Sequence, residues 1–421
     1  MTGATLTVSH ETANRALATR LVNASIWLGV FLSGFVLFEP APYELFVALL
    51  IGLWTITGAL TIPRSVMFLL ITMIVFNIGG IISITQMEDW RNTPLYIASS
   101  LFLALSAVFF ASLIAERHER LALMYNAWTA GAVLTSLFAI AGYFGVIPDS
   151  GSFTLYGRAK GFFEDPNVFA PYLTLPTLFS VYLLLTRPLR SLLPVSAVAA
   201  VLLLATFLSF SRAAWGLLLL SCMILVAALF INSRSGKFRM RIIVLSIFAV
   251  VGAAMVLAIV LQIDSVRSLF LDRAQLLQDY DASRFGRFER HLMGFMLATQ
   301  KPLGIGPLEF GYLFGEDTHN IWLKALFDYS WLGFLAYMTM TIVTLAAGFR
   351  ILFRDRPWQP YLLCAYIVYL GHVAIGNVID TDHWRHFYLL LGIIWGCIAL
   401  EAQYMRGNGP AMRQETSSNS R

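Results

Sequence analysis

The chain has 421 residues, 58% of them hydrophobic and 13% charged, with a net charge of +5 and a mean hydropathy of +0.72. Soluble domains carry about 25% charged residues, so this chain has too little polar surface for a water-soluble shell. It suits one bundle in lipid. The positive balance does not point to nucleic acid, because the basic residues lie in short loops between apolar runs, where they set membrane topology.

Spanning the hydrocarbon takes about 20 mostly apolar residues. Residues 1–20 are polar and form an N-terminal segment with no cleavable signal pattern. Nine apolar windows follow at 21–38, 43–61, 66–86, 94–114, 123–147, 168–186, 191–210, 213–232 and 241–262. The segment 263–330 is the one sizeable polar region, and three further windows come at 331–350, 360–379 and 386–404. Residues 406–421 are poor in apolar side chains and read as a disordered tail. The expectation is an all-α integral membrane protein of about twelve transmembrane helices: helices one to nine in 21–262, a loop with short helices at 263–330, and helices ten to twelve in 331–405.

Lys and Arg give the orientation. Seventeen of the 29 basic residues, among them Arg15, Arg20, Arg64, Arg117, Arg120, Arg187, Arg234 and Arg350, fall on the side that holds both termini. The positive-inside rule makes that side cytoplasmic. The loops 39–42, 87–93, 148–167, 211–212, 263–330 and 380–385 then face the periplasm. Cys222, Cys364 and Cys397 lie inside apolar runs without metal-ligand spacing and read as small buried hydrophobes.

The concentrated polar chemistry falls on the outward side. In 148–167, Arg158 and Lys160 lie among glycines that let backbone approach a ligand. Asp165-Pro166-Asn167 then opens a helix, which Asp165 and Asn167 have the chemistry to cap. Arg212 stands in a tight turn, where it suits either an anion or snorkelling to lipid phosphate. In the long loop, helical spacing puts Arg284, Arg287 and His291 within about 60° of one another, with Arg290 pointing elsewhere. Such a face suits phosphate or acidic headgroups. His319-Asn320 opens an amphipathic segment, 318–329, that reads as hugging the interface, and His319 beside Glu316 and Asp317 suits a general base. Asp380-Thr381-Asp382-His383 has no strong metal signature and reads as an ordinary polar loop.

Taken in order, these segments resemble the O-antigen ligase and polymerase superfamily. Arg158 with Gly161-Phe162 and Asp165-Pro166-Asn167 is similar to the family's arginine, glycine and Pro-Asn stretch. Ser211-Arg212-Ala213 is similar to its Ser-Arg-small turn. Arg287 followed by Pro302-Leu303-Gly304-Ile305-Gly306 resembles its arginine helix and Gly-x-Gly turn, and His319-Asn320 with Gly333 its His-Asn pair and spaced glycine. The chain departs from the ligase pattern at Ser330, where glycine is expected.

The resemblance implies a fold like that of the GT-C class of membrane-embedded glycosyltransferases and a metal-independent, inverting transfer without a cofactor. The donor would be a glycan on undecaprenyl diphosphate in the bacterial inner membrane, and the acceptor a second glycan or a lipid. The resemblance also admits a chain-length regulator as a further partner. It assigns catalytic roles to His319, Arg212 and Arg287, and substrate binding to Arg158, Lys160, Arg284, Asn167 and Asn320. The Ser330 departure and the small outward loop favour a polymerase over a ligase acting on lipid A–core. A flippase or secondary transporter is the alternative from another class. Such proteins place ionisable groups along the pathway, whereas here the polar groups gather on one side.

Overall fold

The computed structural model describes residues 10–188, 192–273 and 286–407. It is a bundle of helices: α1 His10–Leu32, α2 Pro42–Ile56, α3 Met67–Ile84, α4 Thr93–Glu116 and α5 Arg120–Tyr143. A 3-10 turn at Ser150–Phe153 and a two-residue hairpin follow, in which β1 Thr154–Leu155 pairs antiparallel with β2 Arg158–Ala159. Then come α6 Pro166–Tyr172, α7 Thr174–Thr186, α8 Leu192–Leu208, α9 Arg212–Asn232, α10 Gly236–Val260 and α11 Asp264–Arg273. The polar region continues with α12 Arg287–Gln300, α13 Glu309–Phe314 and α14 Ile321–Asp328, and the chain closes with α15 Ser330–Ile351, α16 Gln359–Ile375 and α17 Arg385–Met405.

Eleven of the twelve apolar windows each fall on one of these helices, and the sixth falls on two. Among the described residues, eight are long and apolar enough to cross a membrane, and four apolar helices are shorter, at Ala16–Leu32, Pro42–Ile56, Leu192–Leu208 and Gln359–Ile375. The sixth window is broken into α6 and α7. Pro176 has no N–H, and its ring crowds the carbonyl four residues earlier, which belongs to Tyr172. That carbonyl instead accepts a bond from Trp128 Nε1 at 3.1 Å. The break therefore ties α6 to α5 rather than leaving an orphaned polar group in the bundle.

The centre of the bundle is α17, buried over 78% of its best apolar window and packed along α4 and α16. By contrast, α10 holds the most hydropathic stretch among the eight long helices, and only 6% of that stretch is buried. A helix that is apolar all round yet unburied is at home in lipid. Between α3 and α15 the backbones come very close: a Cβ on Gly79 would lie 2.6 Å from Gly333 N and 2.8 Å from its Cα. Small residues allow this approach in membrane helices, which gives the spaced glycine at 333 a packing reason.

One end of the bundle is stitched together by contacts between its turns. Val36 N donates to Phe162 O at 2.7 Å, Ser83 Oγ to Phe327 O at 2.9 Å and Ile321 N to Gly376 O at 2.9 Å. The Gly304-Ile305-Gly306 turn belongs to the same face. Ile305 N bonds Phe327 O at 2.9 Å and Gly306 N bonds Ser83 Oγ at 2.8 Å. Both glycines have positive φ, +85° and +107°, so the turn demands them. At the opposite end, Glu401 of α17 receives Arg354 at 2.7 Å and Arg356 at 3.0 Å.

Candidate functional site

The stitched end carries two groups of polar side chains. In the first, Arg158 leaves β2 and is buried. Its Nε donates to Ser209 O at 2.7 Å, and an Nη2 donates to Asn167 Oδ1 at 2.7 Å. Asp165 caps α6 by accepting from Asn167 N at 2.7 Å, so capping falls to Asp165 while the Asn167 side chain serves the arginine. These bonds pin the hairpin loop to the turn 209–211, where Phe210 takes φ +48° immediately ahead of Ser211 and Arg212. Arg212 is the first residue of α9 and is half-buried. Lys160 is half-buried on the adjoining stretch.

The second group surrounds His319. This residue has φ +50°, uncommon outside glycine and a form of stored strain that gathers at functional sites. Its Nε2 lies 3.1 Å from Glu316 Oε1 and its Nδ1 3.5 Å from Asp380 Oδ2. The bond to Asp380 raises the imidazole above its ordinary proton affinity. Burial opposes the rise and Glu316 adds to it. Burial alone would push Glu316 up, but its bonds to Arg290 and His319 outweigh that and leave it lowered.

Arg290 is buried and paired with Glu316, and His291 Nε2 meets Thr318 O at 2.8 Å, so α12 braces the strand of chain that carries His319. Asn320 caps α14, accepting from Trp322 N at 3.0 Å and Leu323 N at 3.2 Å, and its Nδ2 reaches Asn377 O at 3.1 Å.

The two groups are held at one end by α9 and α16, which pack side by side with Gly371 against Leu217. Arg212 heads α9, and the far end of α16 carries Gly376, whose carbonyl receives Ile321 N. Arg284 lies outside the described residues. Of Arg287 only the backbone is described, as the start of α12.

Two features differ from the sequence reading. The segment at α14 does not present one polar face outward: Ile321, Lys324, Ala325, Phe327 and Asp328 are all buried, and the helix packs on α3, α12 and α15. Arg290, which helical geometry turns away from the Arg284–Arg287–His291 face, reaches the loop ahead of His319 as His291 does.

Sequence reasoning placed Glu316 beside the histidine but missed its second partner, Asp380, and the cluster around that aspartate. Asp380 and Asp382 flank Lys324 Nζ at 3.8 and 3.9 Å, and Asp317 lies 3.1 Å from it. Asp382 Oδ2 further accepts from Tyr96 at 2.6 Å and meets His383 Nδ1 at 3.0 Å. Its carboxyl would be raised by burial, but Lys324 and His383 hold it well below the usual range. The signal that was available is Lys324 itself, a lone cation in the apolar run Ile321–Phe327.

Residues 197–338 match the protein-family model described as O-Antigen ligase. No curated protein matches the chain. The matched stretch runs from within α8 into the first part of α15 and holds Arg212, Arg287, the Gly304–Gly306 turn, His319 and Gly333. Arg158, Asn167, Asp380 and Asp382 lie outside it and complete the same end of the bundle. Over this third of its length the chain is similar to the O-antigen ligase family, and among its described helices eight are long and apolar enough to cross a membrane.

Proposed function

We propose that the chain polymerises glycan repeat units carried on undecaprenyl diphosphate, at the periplasmic face of the inner membrane, with all twelve apolar helices spanning and both termini cytoplasmic. The observation that carries this reading is His319, strained and set between two carboxylates, at the same end of the bundle as the Arg158–Ser209 clasp and the start of α9. The Lys and Arg distribution supports a periplasmic placement of that end.

In this reading the acceptor hydroxyl attacks the anomeric carbon of the donor sugar. The bond from that carbon to the diphosphate oxygen breaks, and its electron pair stays on the leaving diphosphate. Charge builds there, and Arg212 and Arg287 stabilise it as fixed cations, with Arg284 and Lys160 supplying further positive charge. His319 takes the hydroxyl proton. Because its nitrogens face Glu316 and Asp380, the acceptor must displace one carboxylate, and exposed Glu316 is the freer of the two. No metal is required, since the guanidinium groups supply the charge. Arg158 and Asn167 act by holding the 209–212 turn, and Asn320 by capping α14.

Ser330 bears on the choice between polymerase and ligase. It holds φ +59°, the conformation that a glycine at this position would favour. The backbone expected of the ligase pattern is thus kept, and the departure gives no ground for either acceptor. The shortness of the 263–330 loop remains the support for polymerase. Gel analysis of surface and secreted glycans in a deletion strain tests the reading. Loss of long chains with a retained single unit supports a polymerase; long chains trapped on the carrier lipid indicate a ligase; unchanged glycans contradict both.

A further inference from the structure

The apolar run of α14 is interrupted by one cation, Lys324. Its side chain is only 6% exposed, and the ammonium is directed among Asp317, Asp380 and Asp382, with the Tyr96 ring 5.5 Å away. A buried ammonium persists only when it is paired, and here three carboxylates supply the pairing. Burial would lower its proton affinity, but Asp382, Tyr96, Asp380 and Asp317 outweigh it and keep Lys324 charged.

The arrangement has a consequence at Asp380. The same oxygen, Oδ2, lies 3.8 Å from Lys324 Nζ and 3.5 Å from His319 Nδ1. Two groups therefore draw on one negative atom. We propose that Lys324 sets the proton affinity of His319: by sharing Asp380 Oδ2, its charge limits how strongly that carboxylate holds a proton on the imidazole.

Lys324 is a positioning residue in this role. It touches the histidine's partner and no reacting atom. The benefit for catalysis rests on the reading of His319 as proton acceptor, because an imidazole clamped by two unopposed carboxylates stays protonated and cannot accept. Other charges act on the pair from every side. The loop ahead of α14 gives Glu316 and Asp317, α12 gives Arg290 and His291, and α4 gives Tyr96. The turn after α16 gives Asp380, Asp382 and His383, and the end of α14 with its junction to α15 gives Asp328 and Tyr329. Among these, only Lys324 is a cation in contact with Asp380 that is not itself the histidine.

The test reads His319 directly, without any glycan. The full-length protein in lipid nanodiscs is treated with diethyl pyrocarbonate across a pH series, and fragment-ion mass spectrometry follows modification at His319 itself, separated from His291 on the same peptide. Lys324→Met should move the midpoint of reactivity up by about one pH unit, while Lys324→Arg should leave it at the wild-type value. The double variant Lys324→Met with Asp317→Asn removes the tightest pair together, so the cluster loses one carboxylate along with the cation. It should show the same rise.

An unchanged or lowered midpoint in either charge-removing variant overturns the proposal. An unmoved midpoint with glycan transfer intact in the wild type would sink the lysine's role and leave the transfer reading standing. A raised midpoint in a protein without transfer activity would do the reverse.

Discussion

His319 and Asp380 meet at 3.5 Å, the histidine from the loop ahead of α14 and the aspartate from the turn between α16 and α17. Their contact holds the imidazole's proton affinity above its ordinary value of 6.5, against the effect of burial. A base must be neutral to accept a proton. Transfer by isolated membranes should therefore rise with pH along a limb whose midpoint lies above about 6.5. Asp380→Asn should move that limb down. An acid limb at or below the ordinary imidazole value in the wild type would contradict the assignment. Stability runs the other way. A group with a raised folded value stabilises fully below its unfolded value, and that contribution is lost as pH climbs through the folded one. The His319 contacts thus add most below pH 6.5, where the base is least active.

The clasp of Arg158 predicts a structural phenotype with a functional result. Its guanidinium donates in two directions, to Ser209 O and Asn167 Oδ1. Lysine is a point donor and cannot reproduce this fork. Arg158→Lys should lose about 1.5–3 kcal/mol, the value of one hydrogen bond to a charged group, and Arg158→Ala more. The measurement is the thermal midpoint of the detergent-solubilised protein. Wild-type stability in Arg158→Ala would remove the clasp from the account.

Ser330 offers a substitution expected to do no harm. Its φ is +59°, it is buried, and its Oγ has no hydrogen-bond partner. The left-handed conformation costs a non-glycine residue about 1–2 kcal/mol, and glycine gives back about 0.5–1 kcal/mol through its freer unfolded chain. Ser330→Gly should therefore be neutral or stabilising by up to about 1 kcal/mol, with glycan length unchanged. A clear fall in thermal midpoint would show that the serine has a packing role.

The Gly79–Gly333 crossing should tolerate no side chain. A Cβ at 79 would meet backbone atoms of Gly333 at 2.6 and 2.8 Å, and backbone cannot step aside as a flexible side chain does. Gly79→Val should lower the amount of folded protein, with an overpacking penalty of about 1–3 kcal/mol or more. Normal accumulation would mean that α3 and α15 are not packed this way.

Helices and motif turns were legible in the sequence because each is encoded locally: apolar windows mark the helices, and Asp165 and the Gly304–Gly306 pair act within a few residues of themselves. The break inside 168–186 went unread, although Pro176 is a local signal for it. His319 could be singled out from its neighbours Glu316 and Asp317. What could not be read was pairing across the chain. Asp380 looked like part of a polar loop because its partners, His319 and Lys324, lie on another segment. The amphipathic pattern of α14 suggested a helix at the lipid surface. A pattern cannot report that α3, α12 and α15 cover it, nor that the polar residues Lys324 and Asp328 are the ones turned inward.

The most direct test of the central claim replaces His319 by alanine in a strain lacking the native chain, with protein level and membrane insertion checked in parallel. Surface and secreted glycans are then resolved by length. Long-chain glycan should be lost at an unchanged protein level. Glycans of wild-type length in the His319→Ala strain would contradict it.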